Sequence, residues 1–324
     1  MYALAALGDH PLAATIAARL AEAAPAVPVP GADYAPVPAA QWAQAFHVAL
    51  PGGGAVELAF DGAAGGLALF SVNGSGNVAA PGRPLGAFVY REFNGTDWRA
   101  ATTCPVAYQR YGDDAAGARS ATTRATMDAL FAQAGAGPRS FLVHASLPEE
   151  LVLLVGAPRD VWVNFTVASN GDLAVDVQLV NKTRTRFGEA LLLEWLFAPG
   201  ALAPGDGAWR VDKLGTWVDP LDGVEGGSTQ QHAVGRGVAF FSPARGPAGG
   251  GVFLDSVDAP VVCPATGAQY AYTSLPLSPK PLAGPVTGWA SLLYTNAWAM
   301  NFPLWSLDAD FRFRFLLRFV APGS

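Results

Sequence analysis

The sequence is poor in charge, cysteine, histidine and methionine, and it has no long apolar run. Charged residues make up 14% of the 324, with a net charge of −6. No basic cluster is interleaved with aromatics, so the chain offers no positive field to a phosphate backbone, and nucleic acid is excluded as a partner. No apolar segment approaches the ~20 residues that span a bilayer, which points to a soluble chain without a membrane partner. The two cysteines, Cys104 and Cys263, match no metal-knuckle spacing. A disulfide between them stays open, but two unpaired thiols are the better reading, because nothing else signals an oxidising compartment. The four histidines, His10, His47, His144 and His232, stand in no Gly-x-Ser-x-Gly or related context, so a nucleophilic triad is not expected. No pattern calls for a metal or a cofactor. The segment after Met1 lacks a basic n-region and is interrupted by Asp9 and His10, so export is unsupported and a cytoplasmic location is favoured. The sequons at Asn73, Asn94, Asn164 and Asn181 are read as turn chemistry.

What is abundant points to β-structure. Hydrophobic residues reach 51%, with 37 glycines, 26 prolines and nine tryptophans, the mixture of short strands and turns. Val161, Val163, Phe165 and Val167 alternate with polar residues, Asn170-Gly171 supplies a turn, and Leu173, Val175, Val177 and Leu179 resume the alternation. That is a hairpin with one buried face. The run from Glu189 to Phe197 is too continuously apolar for a surface strand and belongs mid-sheet with both faces covered. Ala55 to Val72 reads as another hairpin, and Leu151 to Gly156 as a strand. In the strand 311–319, aromatics at 311, 313, 315 and 319 oppose arginines at 312, 314 and 318. Helical spacing occurs at Pro11 to Ala24 and again at Ala121 to Ala134. About fourteen strands without βαβ alternation predict a mainly β fold: a large antiparallel β-sandwich with one or two short helices. The expected division is an N-terminal helix and Pro-rich linker over 1–44 and a single β-sandwich domain over 45–322.

The segment Trp209 to Asp222 packs tryptophans, paired charges and turn formers together. With the following residues it reads WRVDKLGTWVDPLDGVEGGS, and it resembles an uncharacterised C-terminal region of α-mannosidase-like glycoside hydrolases of family 38. Phe88 to Phe93, Leu254 to Pro260, Tyr294 to Trp305 and Phe311 to Phe315 extend the resemblance over roughly residues 45 to 320. The resemblance implies a galactose-mutarotase-like super-sandwich. It also implies a preceding catalytic domain as a partner, since the His-x-Asp pattern opening the zinc site of those enzymes is absent here.

Sugar recognition sets aromatic faces against the C–H face of the ring and aims Asp, Asn and Arg at hydroxyls. The carbohydrate-binding candidates are Trp209, Asp212, Trp217, Asp219, Asp222, His232, Asn296, Trp298, Asn301 and Trp305. Asp212, Asp219, Asp222 and Glu225 crowd one loop region, but the reading of these carboxylates as turn formers and partners of Arg210 or Lys213 is preferred. No catalytic residue is assigned. The expected role is the carbohydrate-related sandwich portion of a glycoside hydrolase, binding glycan or packing against another domain. A stand-alone sugar-active enzyme of epimerase or lyase type is the alternative, and it requires a histidine and a carboxylate to converge in one cleft. A structural docking domain is a third reading.

Overall fold

The computed structural model describes residues 8–80, 82–97, 117–135, 139–185, 187–198, 200–202, 204–222, 229–266, 269–270, 285–296 and 309–320. Two α-helices are named here, α1 (Ala13–Ala23) and α2 (Glu149–Val155). The strands begin with β1 (Tyr34–Pro36), β2 (Phe46–Ala49), β3 (Ala55–Asp61), β4 (Gly66–Val72), β5 (Ala87–Phe93), β6 (Ala121–Arg124) and β7 (Thr126–Gln133). Next come β8 (Ser140–Ser146), β9 (Asp160–Val167), β10 (Leu173–Lys182), β11 (Gly188–Leu196), β12 (Ala208–Lys213), β13 (Thr216–Val218) and β14 (His232–Ala233). The remainder are β15 (Gly237–Phe241), β16 (Gly251–Ser256), β17 (Val261–Thr266), β18 (Gln269–Tyr270), β19 (Val286–Thr295) and β20 (Ala309–Val320).

These strands build an antiparallel β-sandwich. A ten-stranded sheet runs β1-β7-β8-β9-β10-β20-β16-β15-β12-β13 and a seven-stranded sheet runs β14-β17-β19-β11-β5-β6, with β18 added beside β17. A three-stranded sheet, β2-β3-β4, completes the strands. One continuous core joins all three: Phe60 and Phe70, Phe141 and Phe165, Trp195 and Trp289 belong to the same buried cluster. No helix among the described residues is long and apolar enough to cross a membrane.

The hairpin predicted from Val161 onward is β9–β10. Val161, Val163, Phe165 and Val167 are buried while Trp162, Asn164 and Thr166 are half-buried. All nine residues of β11 are buried, because the strand lies between β19 and β5, as its unbroken apolar run requires. In β20 Phe313, Phe315 and Leu317 point into the core, while Arg312, Arg314 and Arg318 pair with Asp176, Asp258 and Asp255 on the other face.

Two expectations are corrected. Residues 121–134 form β6 and β7, with no helix. A register shift between Met127 and Ala129 inserts one extra residue into β7, so the inward residues Met127 and Leu130 stand three apart and imitate helical spacing. Conversely, Leu151 to Gly156 is the body of α2 and its cap. Pro148 precedes the helix, Glu149 and Glu150 occupy its first turn, and Gly156 ends it in the left-handed region at φ 72°, a conformation glycine adopts without steric cost. The apolar run seen in sequence divides between core-facing Leu151, Val152 and Val155 and exposed Leu153 and Leu154. Helix α1 lies where Pro11 to Ala24 predicted it. Within the stretch read as linker, Ala26 N–H donates to Gln178 and β1 pairs with β7 as the edge of the large sheet.

Candidate functional site

Buried ionisable groups concentrate at one end of the sandwich interior, called the mouth below, where β5, β11 and β19 meet the end of β10. On the inner face of the smaller sheet Glu189 is directly opposite Glu92 and Leu191 opposite Tyr90. Directly opposed residues hold their β-carbons about 5 Å apart, so two carboxyl groups and a phenol share one small volume. From the large sheet comes Lys182. Strand β10 shifts register between Leu179 and Lys182, and Asn181 in the bulge takes a positive φ of 57°. Simple alternation from inward Leu179 would turn residue 182 outward, and the bulge reverses this.

The Lys182 ammonium donates to the carbonyls of Gly156 and Thr183, each at 3.2 Å, and ion-pairs with Glu189 Oε1 at 2.6 Å, both side chains being fully buried. That approach is a charge contact and lacks hydrogen-bond alignment, since Oε1 has no hydrogen-bond partner. Glu189 Oε2 accepts from the Tyr90 hydroxyl at 2.8 Å. Burial pushes the Glu189 carboxyl above the usual carboxylate range, with the Lys182 ammonium and then the Tyr90 hydroxyl opposing it. Burial, and after it the Glu189 charge, raise the Tyr90 phenol and keep it protonated. Glu189 is therefore committed to Lys182 and Tyr90.

Glu92 differs. Its side chain is 4% exposed, and Oε1 receives a long 3.4 Å contact from Arg119 Nε, which also reaches Glu150 at 2.8 Å through NH1. Oε2 is buried without a hydrogen-bond partner. Burial raises the Glu92 carboxyl, with the Arg119 charge opposing. Tyr294 lies over the Lys182 ammonium. Asn296 is buried beside it, its backbone N–H donating to the Glu189 carbonyl and its side-chain amide to the carbonyls of Thr185 and Phe187.

Of the ten sequence candidates, Asn296 alone among the described residues joins this mouth. Trp298, Asn301 and Trp305 lie outside the described residues, as do Cys104 and Glu225. Trp209 is core, edge-on to Phe240 and Trp289. Trp217 packs against Phe241 and Phe253 on the opposite face of the large sheet. The carboxylates act locally: Asp212 caps the β12–β13 turn through Gly215 N–H, Asp219 accepts from Leu221 N–H and pairs with Arg210, and Asp222 is exposed. His232 is buried against Trp289, its Nε2 without a partner. Burial and the Lys213 charge push its pKa down to about 4, so the ring is neutral.

A histidine and a carboxylate do converge elsewhere. His144 Nε2 is 2.9 Å from Asp160 and its ring stacks on Trp162 with 4.2 Å between centroids, on the outward face of the large sheet rather than in a cleft. Sequence reasoning weighed Glu92 only as part of the stretch Arg91 to Trp98, read as packing in preference to a binding loop, and missed Glu189 and Lys182, because the first looks like an interruption of an apolar strand and the second is turned inward by its bulge. The available signal was a glutamate inside each of two strands otherwise fit for the core. Cys263 is free and buried. Among the described residues no group of three or more His, Cys, Asp and Glu is placed to hold a metal ion.

No family model matches the chain, and no curated protein matches it. Among solved structures the chain is similar to an Escherichia coli K12 protein with a provisional aldose 1-epimerase assignment. That match has 9% identity and a TM-score of 0.45, and covers 85% of this chain and 98% of that one. At such identity no residue role or activity is carried across.

Proposed function

We propose that this protein acts on a carbohydrate at the Glu92–Glu189 mouth by general acid–base catalysis, Glu92 being the residue that moves the proton. The observation carrying this reading is the buried, unpartnered Oε2 of Glu92 beside a second carboxylate already fixed by Lys182 and Tyr90. A buried polar atom without a partner costs about 1–3 kcal/mol, and a substrate hydroxyl bound there removes that cost. A carboxyl raised toward neutrality donates and accepts protons near its operating pH, so in this reading the Glu92–Glu189 pair takes the place of the histidine–carboxylate pair expected from sequence for epimerase- or lyase-type chemistry. Two supports favour a sugar. Aromatic Tyr90 and Tyr294 adjoin the polar groups Glu92, Arg119 and Asn296, the mixture sugar sites use. Of the sequence segments carrying the carbohydrate-enzyme resemblance, 88–93 and the described part of another, 294–296, contribute Glu92 and Asn296 to this mouth.

The test is a panel of aldoses and uronates with wild type and Glu92→Gln. Anomer exchange is followed by NMR saturation transfer and elimination by ultraviolet absorbance of the unsaturated product. Wild type is expected to accelerate one of these and Glu92→Gln to lose at least about a hundredfold. Absence of both binding and turnover across the panel would sink the proposal. Binding without turnover in wild type would favour a glycan-binding sandwich.

A further inference from the structure

A second concavity lies at the far end of β20. Phe311 packs on Tyr294 at the acidic mouth, whereas Phe319 lines the other cavity. Eight residues of strand separate them, about 26 Å. The cavity has a volume of about 320 Å³ and is walled by the β4 turn, residues 201 and 204, the 245–251 turn and the ends of β16 and β20. Its lining is largely apolar and includes Val72, Val78, Val252 and Phe319.

Among the described residues, the polar groups at its rim are already used, with one exception. Asn73 Oδ1 accepts from Ala55 N–H and Ser75 Oγ from Val72 N–H, so both serve their own hairpin. Arg245 is exposed, and its guanidinium makes no hydrogen bond or ion pair with any described residue. Asp206 feels its charge only weakly, behind other influences. By contrast Arg124, Arg312, Arg314 and Arg318 are each paired with a carboxylate. Local backbone fixes where the free cation sits. Successive turns, from Arg245 N–H to the Ser242 carbonyl and from Gly249 N–H to the Gly246 carbonyl, fold this loop back on itself. A β-carbon at residue 249 would collide with the Arg245 stem, so the glycine lets that stem lie along the cavity edge.

We infer that this cavity binds an amphipathic monocarboxylate, its chain against Val78, Val252 and Phe319 and its carboxylate on Arg245. An apolar wall with Arg245 in its lining, the guanidinium unpaired among the described residues, is the complement of that ligand class. At about 30 Å³ for each water-sized group, the volume holds roughly ten non-hydrogen atoms, the size of octanoate. The inference is independent of the acidic mouth.

The test is titration of the isotopically labelled full chain with octanoate and with 1-octanol, followed by NMR shifts of the Val78, Val252 and Ala201 methyls. Octanoate is expected to bind saturably, with octanol at least tenfold weaker. Arg245→Ala is expected to weaken octanoate about tenfold and leave octanol unchanged, and Ala201→Trp, which fills the cavity, to abolish both. Glu92→Gln is expected to leave octanoate binding as in wild type. No saturable shift, equal affinity for the two probes, or octanoate binding that survives Ala201→Trp would each overturn the assignment.

Discussion

His232 offers a stringent test of how the sandwich handles buried polarity, because one side chain links burial to pH. In the unfolded chain its imidazole titrates near the ordinary 6.5, and in the fold burial and the Lys213 charge hold it at about 4. Between those values the unfolded state takes up a proton that the folded state refuses. A depressed base therefore contributes stability that is present above pH 6.5 and lost as pH falls toward 4. The gap of about 2.5 pH units corresponds to at most about 3 kcal/mol. Glu189 and Glu92 act in the opposite sense. Their raised pKa values add stability at low pH that is lost as pH rises through the folded values, so a single wild-type curve mixes the two trends. The useful quantity is the difference between wild type and His232→Phe, with urea unfolding free energies measured from pH 4 to 8. It is expected to be constant above about pH 7 and to shift by up to about 3 kcal/mol in favour of the variant by pH 4. A parallel NMR titration of the His232 ring reads the folded pKa directly. A folded imidazole titrating near 6.5, or a flat difference curve, would refute the account.

Three further outcomes are expected. Lys182→Met strands a buried carboxylate and is expected to cost about 3–5 kcal/mol in urea unfolding, whereas Lys182→Met with Glu189→Leu recovers most of that loss. A double variant no more stable than the single one contradicts the pairing. Gly156→Ala forces a left-handed residue, worth about 1–2 kcal/mol, and places a β-carbon against the Thr183 carbonyl. Its calorimetric transition should fall accordingly, and an unchanged one would mean the turn relaxes. Trp209→Ala opens a cavity beside Phe197, Phe240 and Trp289, and a loss of about 3–5 kcal/mol is expected by denaturant titration.

Much of the fold was legible in the sequence because alternation and burial are local consequences of one another. The β9–β10 hairpin, the central β11 and the two-faced β20 follow from residue spacing. Two of the failures share a cause. In β7 and again near Lys182 a bulge adds a residue, and a pattern read at fixed period then assigns the wrong element or the wrong face. The apolar run 151–155 was ambiguous by composition alone, and the acids before it and Gly156 after it carried the helical signal. The site was less legible. Aromatic, turn-rich segments attracted the sequence reading, yet Trp209 went to the core, while Asp212 and Asp219 serve turns, as the preferred reading of those carboxylates has it. Glu92 and Glu189 become neighbours only through pairing between strands about a hundred residues apart.

The place of β20 bears on how the molecule assembles. It follows every other strand of the large sheet in chain order, yet it sits between β10 and β16. Until it arrives, β1-β7-β8-β9-β10 and β16-β15-β12-β13 are two separate half-sheets, each with a bare hydrogen-bonding edge able to recruit a strand from another molecule. Closure joins partners more than a hundred residues apart, since Val175 meets Phe315, a distant pairing of the kind that makes folding slow. The arginines of β20 then act as a late latch, drawing Asp176 from one half and Asp255 from the other into the same seam.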